Sequence, residues 1–300
     1  MRVLITGASG LIGQWVAREF LNHGYDVKAV DRRPPPKDLL NSERLEAVYA
    51  DIADPLSMML ACKGCDSIIH LAAYPNPRNV PPDELMRVNV IGSQNILEAA
   101  MAHGADKTII TSSIGALGFS FPTHPCLPDS LPVTIDHPRR PQDIYGLSKL
   151  LNEESAAAAT RLSGMTTVVF RLPGVMDLAH AISRGWLEHM PKWKPRHRDA
   201  SLWSYIDVRD AARAYRMAVE SELSGNHTYY IMADDLNVAP TVEELTREFL
   251  PELEADLHKL TGRSFFDLKP AEESFGFKAK YIAREILENG VPDELKSENI

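Results

Sequence analysis

The feature that most constrains this chain is the stretch Thr6-Gly7-Ala8-Ser9-Gly10-Leu11-Ile12-Gly13, set between a short apolar run, Arg2 to Thr6, and an amphipathic run, Leu11 to Asn22. Its three glycines meet three different needs. Gly7 permits a tight turn out of a strand. Gly10 leaves no Cβ in the way of a phosphate approaching the backbone. Gly13 lets the following helix pack close on the sheet. The helix start then offers free N–H groups and a positive dipole end to an anion. A glycine pattern alone is weak; its place between strand and helix gives it meaning. It implies a Rossmann-type α/β fold: a doubly wound parallel sheet whose first turn takes the pyrophosphate of a dinucleotide.

The rest of the chain agrees. Apolar runs at Asp26 to Val30, Leu45 to Ala50, Ser67 to Leu71, Lys107 to Ser112 and Thr166 to Leu172 alternate with helical patterns at Pro55 to Cys62, Asp83 to His103 and Ile144 to Leu162. Such alternation predicts parallel strands joined by crossover helices. Later segments read as a strand at Leu202 to Val208, a helix at Arg209 to Glu220, a strand at His227 to Met232 and a helix at Thr241 to Phe249. We expect a cofactor domain over residues 1–172, to which 202–233 return, and a small mixed substrate lobe from 173–201 and 234–300. Gly118 to Asp143 carries six prolines and no periodicity. Following a strand's C-terminal end, it reads as a substrate-side wall or lid, or else as a plain surface excursion.

Two further signals carry chemistry. Asp31 ends the second strand, 18 residues after Gly13, where a carboxylate accepts the ribose hydroxyls of NAD. Arg32 and Arg33 beside it keep NADP as the alternative, because an arginine there can hold a 2′-phosphate. Asp51 and Ile52 close the third strand and edge the adenine. Tyr145 and Lys149 stand four residues apart on a predicted helix, so they share one face. An ammonium beside a phenol favours the phenolate and is expected to lower its pKa, making Tyr145 a general acid or base. Ser112 and Ser113 end a strand at the sheet's active edge, where a hydroxyl would orient the same substrate oxygen.

Taken together, TGASGLIG, Asp31, Asp51-Ile52, HLAA (residues 70–73), Asn89 in VNVIGSQNILEAA, TSS (residues 111–113) and YGLSK (residues 145–149) resemble the extended short-chain dehydrogenase/reductase family, of the NAD-dependent epimerase/dehydratase type. The resemblance covers about residues 1–235. It implies a Ser113–Tyr145–Lys149 catalytic set. It implies cofactor contacts at Gly7, Ser9, Gly10, Leu11, Ile12, Gly13, Asp31, Arg32, Asp51, Ile52, Leu71, Ala72, Ala73, Asn89, Thr111, Ser112, Tyr145, Lys149, Pro173 and Val175. Candidate substrate contacts are Tyr74, Asn76, Ser113, Ile114, Gly115 and Gly174. Within the family, the run from Thr111 to Lys149 is most similar to uronate dehydrogenases and related NAD-dependent sugar or sugar-acid oxidoreductases. One departure stands out: where nucleotide-sugar members carry a diphosphate-gripping arginine, this chain has Trp203. Arg196 and Arg198 are the residues that could substitute for it.

Other classes are disfavoured. The formal net charge is −9, a poor match to nucleic acid or an anionic membrane. The start MRVLITGASG reads as a strand rather than a leader, and no apolar run reaches the ~20 residues of a membrane span, so the cytoplasm is expected. Cys62 and Cys65 form a C-x-x-C, but in a helix end leading to a buried strand rather than a thioredoxin-like setting. No histidine spacing indicates a metal site, and His70 reads as packing or a cofactor contact. The basic, aromatic stretch from Lys192 to Arg198 suits either an anionic substrate group or a solvated loop. Three functions remain: an NAD-dependent dehydrogenase of a sugar, sugar acid or small polyol; a nucleotide-sugar epimerase or dehydratase with internal hydride return; and a non-catalytic dinucleotide sensor, which would have no use for the tyrosine and lysine. The expected assembly is a homodimer through the helices at Asp83 to His103 and Ile144 to Leu162.

Overall fold

In the computed structural model, which describes residues 1–296, seven strands form one sheet. They are β1 (Arg2–Thr6), β2 (Asp26–Asp31), β3 (Leu45–Tyr49), β4 (Ser67–His70), β5 (Lys107–Ser113), β6 (Thr166–Leu172) and, later in the chain, Asn226–Tyr230. All pairings are parallel, in the spatial order β3-β2-β1-β4-β5-β6 followed by Asn226–Tyr230. β5 and β6 are buried along their whole length: Ile109, Ile110, Val168 and Val169 enter the cores, and the polar residues beside them, among them Lys107, Thr108, Thr111, Thr167 and Arg171, are buried with hydrogen-bond partners. Alternate residues feed two cores: Val3, Ile5 and Phe170 on one face, Leu4, Ile68 and Val169 on the other. The last four residues of the expected lobe lie outside the described residues.

The helices between strands are α1 (Leu11–Asn22), α2 (Pro55–Cys62), a long helix α3, and α4 (Ile144–Ser163). α3 runs Pro82–Met86, then a π-helical segment Arg87–Ile91, then Gly92–Ala102. Gly92 is tight against Ile52, whose Cδ1 would lie 2.6 Å from an added Cβ. Two strand lysines finish neighbouring helices. Lys28 Nζ donates to the Ala61 and Lys63 carbonyls at the end of α2. Lys107 Nζ donates to the carbonyls of Ala218, Val219 and Ser221. Both supply cations where unpaired carbonyls gather.

After β6 the chain forms β7 (Gly174–Met176) and, beyond an excursion, β8 (Tyr205–Asp207), which pair in parallel as a separate two-stranded sheet. The expected strand from Leu202 begins only at Tyr205. Leu202 and Trp203 both have φ of 54°, a left-handed turn that no strand can contain. Helix α5 (Val208–Glu220) leads back to β9 (Asn226–Tyr230), and α6 (Val242–Phe249) opens the C-terminal part. Thr241 caps α6 in a reciprocal box with Glu244.

The proline-rich segment 118–143 is anchored rather than free. Phe119, Leu131 and Val133 are buried in a third core with Trp203 and Phe265, and Val133 bridges to Phe266. Among the described residues no helix is long and apolar enough to cross a membrane. Cys62 and Cys65 are buried free thiols, and burial pushes Cys62 up to about 12, which leaves it an inert packing residue.

Candidate active site

The glycine turn is shaped by contacts that leave no room for side chains. A Cβ on Gly13 would lie 2.1 Å from the Gly7 carbonyl oxygen. One on Gly7, where φ is 70°, would lie 2.8 Å from the Ala72 nitrogen. The turn is thus pressed between α1 and the segment after β4. Leu11, Ile12 and Gly13, the first turn of α1, line a cleft of about 710 Å³. A second cavity of about 600 Å³ adjoins it, sharing Gly7, Gly10, Arg33, Leu71 and Ala73. Together they run along the C-terminal edge of the sheet, at the crevice where strand order reverses between β1 and β4.

A chain of hydrogen bonds holds the wall opposite the glycines. The Leu71 and Ala72 N–H groups both donate to Thr6 Oγ1 at 3.2 Å. Thr6 Oγ1 lies 2.8 Å from His70 Nδ1, and His70 Nε2 lies 2.8 Å from Ser93 Oγ. Ser93 donates its proton to the Asn89 carbonyl at 2.6 Å. His70 therefore donates from Nε2 and accepts at Nδ1. It is neutral: burial, with Lys149 nearby, pushes it down to about 3. Among the described residues no cluster suits a metal ion.

In the smaller cavity lie Asp31, Arg32, Asp51, Ile52 and Tyr74. Asp31 accepts from the Ser9 and Arg33 N–H groups, each at 3.0 Å. Arg33 Nε stands 3.9 Å from the same carboxylate, and Arg32 lies over the Tyr74 ring at 6.0 Å. Asp51 and Ile52 follow β3 rather than end it, in the turn before α2. Tyr74 thus faces the Asp31 end and not the Tyr145 end. Asn89, in the π segment, is fully buried. It donates to the Tyr74 carbonyl and to Ser148 Oγ, each at 3.1 Å, and accepts from the Tyr74 N–H at 2.8 Å. Its amide thus holds the Tyr74 backbone, which borders the smaller cavity. Asn76 accepts from the Arg78 N–H at 2.9 Å and is not among the residues that line the cleft.

The larger cleft brings together Thr111, Ser112, Ser113, Ile114, Tyr145, Lys149, Pro173, Gly174 and Val175. Ser113 Oγ accepts the Gly115 N–H at 3.0 Å, capping the short turn that follows β5. An added Cβ on Gly115 would sit 3.3 Å from both Ser113 Oγ and Tyr145 Cε1, so glycine here leaves room around both groups. Ser112 points elsewhere, donating to Glu153 at 2.6 Å. Asp143 caps α4 by accepting from the Tyr145 and Gly146 N–H groups. Lys149 Nζ donates to the Thr111 carbonyl at 2.9 Å and stands 5.7 Å from the centre of the Tyr145 ring.

Burial changes the expected acidity of this pair. Tyr145 is pushed up to about 12 by desolvation; a hydrogen bond from Ser113 pulls it back and Asp143 adds to the rise. Lys149 is pushed down to about 8 by desolvation, opposed by the charge of Glu153. The lowering of Tyr145 expected from Lys149 does not appear in the protein alone: loss of water sets the rise, and Ser113 rather than Lys149 is the group that opposes it.

Six lining residues from irregular segments escaped the sequence reading: Pro75, Ser120, Phe121, Ser201, Ser204 and Asn237. Phe121 packs edge-on against Tyr145 with ring centres 5.7 Å apart. They come from irregular segments, where no period marks an inward face. Trp203 is 2% exposed and packs against Phe249 and Phe265 in the third core, with its side chain out of the cleft. Arg198 donates to the Phe249 carbonyl at 2.8 Å. Lys192, Lys194, Arg196 and His197 line a separate cavity of about 610 Å³ that shares no lining residue with the cleft.

The pattern of the NAD dependent epimerase/dehydratase family matches residues 3–233. The chain belongs to that family of NAD-dependent enzymes. It is 28% identical over 271 residues to cinnamoyl-CoA reductase 1 of Petunia hybrida, covering 83% of this chain and 78% of that protein. It is 26% identical over 274 residues to UDP-glucose 4-epimerase of Corynebacterium glutamicum, covering 81% and 79%. Its fold matches the crystal structure of uronate dehydrogenase from Agrobacterium tumefaciens with a TM-score of 0.68 at 21% identity, over 97% of this chain and 91% of that one.

Proposed function

We propose that this protein is an NAD-dependent oxidoreductase acting on a carbinol of a sugar, sugar acid or similar small polyol, through Ser113, Tyr145 and Lys149. One observation carries this reading: these three residues share a single cleft with the glycine turn and the first turn of α1. The cradle fits a dinucleotide, since Gly7, Gly10 and Gly13 give a Cβ-free floor beneath helix N–H groups. When bound, the dinucleotide supplies the hydride acceptor or donor. Asp31, holding its carboxylate at the rim, would receive ribose hydroxyls and repel a 2′-phosphate, which favours NAD over NADP. Leu71 to Ala73, Pro173 and Val175 would enclose the cofactor.

In oxidation, Tyr145 takes the substrate hydroxyl proton as the carbinol C–H bond gives up its hydride, leaving a carbonyl. In reduction it returns that proton to the oxygen. At neutral pH Tyr145 holds its proton, the form reduction needs. Lys149, charged below about pH 8, favours the phenolate for oxidation and would bind ribose hydroxyls. Ser113 would orient the substrate oxygen. Residues 1–172 with 202–233 would hold the cofactor, and 173–201 with 234–300 the substrate. The epimerase reading is weakened at Trp203: the resemblance puts a diphosphate-gripping arginine at this position, and the tryptophan is packed in the third core. A homodimer through α3 and α4 completes the proposal, supported by the exposed Ile91 and Leu147.

The test is NADH or NADPH formation across uronates, aldoses, polyols and hydroxy acids, with Tyr145→Phe as comparison. The expected result is turnover with NAD on at least one compound and a loss of about 10²- to 10⁴-fold in kcat for the variant. Failure to reduce either cofactor with every compound would reject net dehydrogenation of these classes.

A further inference from the structure

Glu153 stands one helical turn beyond Lys149 on α4, and its carboxylate is buried. Both of its oxygens are taken. Oε1 accepts from Ser112 Oγ at 2.6 Å and Arg171 Nε at 2.9 Å. Oε2 accepts from Arg171 Nη2 at 2.8 Å and Arg139 Nη1 at 3.3 Å. Arg171 reaches on to the Ile135 carbonyl at 2.9 Å. Tyr230, beneath the Arg171 guanidinium, donates to the Thr134 carbonyl at 2.9 Å.

A carboxylate buried inside a fold is costly unless its lone pairs are filled and its charge is matched. Here the two-pronged Arg171 contact does both. Four pieces of chain meet at this one group: the end of β5 beside Ser113, β6, the helix carrying Tyr145 and Lys149, and the 118–143 segment whose Phe121 packs on Tyr145. A hydrophobic pair could hold the same elements together by packing, but it could not accept the Ser112 hydroxyl proton or keep a negative charge one helical turn from Lys149.

We infer that Glu153 is a positioning residue: bridged to Arg171, its carboxylate locks α4 in register with β5 and the proline-rich segment, and holds a buried negative charge one helical turn from Lys149. This rests on the proposed role of Lys149 toward the cofactor. The charge of Glu153 is indeed what opposes the loss of the Lys149 proton on burial. Arg139, a third exposed and also paired with Glu154, partly offsets that charge from outside.

The experiment is fluorescence titration of NADH into the whole protein from pH 6 to 10. The unaltered protein should bind more weakly as pH rises through about 8, where Lys149 loses its proton. Glu153→Gln should move that midpoint down by about one pH unit, which makes affinity about tenfold weaker at pH values above both midpoints. Glu153→Asp should restore most of it. Arg139→Ala should move the midpoint up, and as a change near the surface it reads the same charge even if Glu153→Gln fails to fold. Lys149→Met separates the two readings. A pH step that persists in Lys149→Met overturns the cofactor role of Lys149 and this inference with it. A step that vanishes there, yet stays in place in Glu153→Gln and Arg139→Ala, overturns this inference alone.

Discussion

His70 ends β4 with both ring nitrogens in use, toward Thr6 on one side and Ser93 on the other. Protonating Nδ1 would set two donors against each other and break the bonds that hold Leu71 and Ala72. The folded pKa of about 3 lies below the ordinary 6.5, so on acidification the unfolded chain takes up the proton first. This stability is complete above pH 6.5 and is lost as pH falls toward 3, at about 1.4 kcal/mol per pH unit. Between pH 6.5 and 5, urea unfolding should show the unaltered protein losing about 2 kcal/mol more than His70→Gln. An equal loss in both would show that His70 titrates normally. At the cofactor end, Asp31→Ser should raise the NADP-to-NAD ratio of kcat/KM by about tenfold or more, since one repelling charge is worth at least ~1.4 kcal/mol here. An unchanged ratio would place cofactor choice elsewhere. Tyr145, Lys149 and the glycines could be singled out because each set stands at a fixed spacing along the chain, and the structure brings them to one cleft. The acidity of Tyr145 could not be read this way, because burial, which sets it, is a property of the assembled fold.

Among the elements, β5 shows how a strand can govern a helix it only borders. Lys107 satisfies three carbonyls at the end of α5 from inside the sheet. Lys107→Met would remove this donor from all three, leaving Ala218 only the Ser221 hydroxyl, and a loss of about 1–3 kcal/mol in urea unfolding is expected. No loss would mean that water reaches these carbonyls without strain. Parallel strands were easy to read because short β-branched centres such as Ile109-Ile110 and Val168-Val169 alternate along the chain with helical patterns. The π segment of α3 was not, because one widened turn scarcely disturbs a hydropathy pattern, yet it places Asn89 under Tyr74. Glu153 drew no reading from the sequence, since a glutamate within a helical pattern carries no mark of burial. Only Arg171, arriving from β6, makes its inward position tolerable. β7 and β8 are three residues each, too short for any period to register.

At the scale of the molecule, the cleft lies between the sheet's C-terminal edge and segments that return after β6, so a ligand filling it touches both. NADH at about a hundredfold above its Kd should stabilise the whole chain by ~2.7 kcal/mol in one transition. Two separate transitions in calorimetry would show that the parts on either side of the cleft unfold independently. The last sheet strand adds a consequence of timing. β6 ends at Leu172, and its outer partner β9 begins at Asn226, after β7, β8 and α5 have been made. At about 5–20 residues per second, the ribosome takes several seconds to cover that gap. Throughout it, a strand reading Thr-Thr-Val-Val-Phe-Arg-Leu offers an unpaired edge to any neighbouring nascent chain. Slower translation between residues 172 and 226 should lengthen this exposure and shift newly made protein from the soluble to the aggregated fraction, while the finished molecule keeps the same stability.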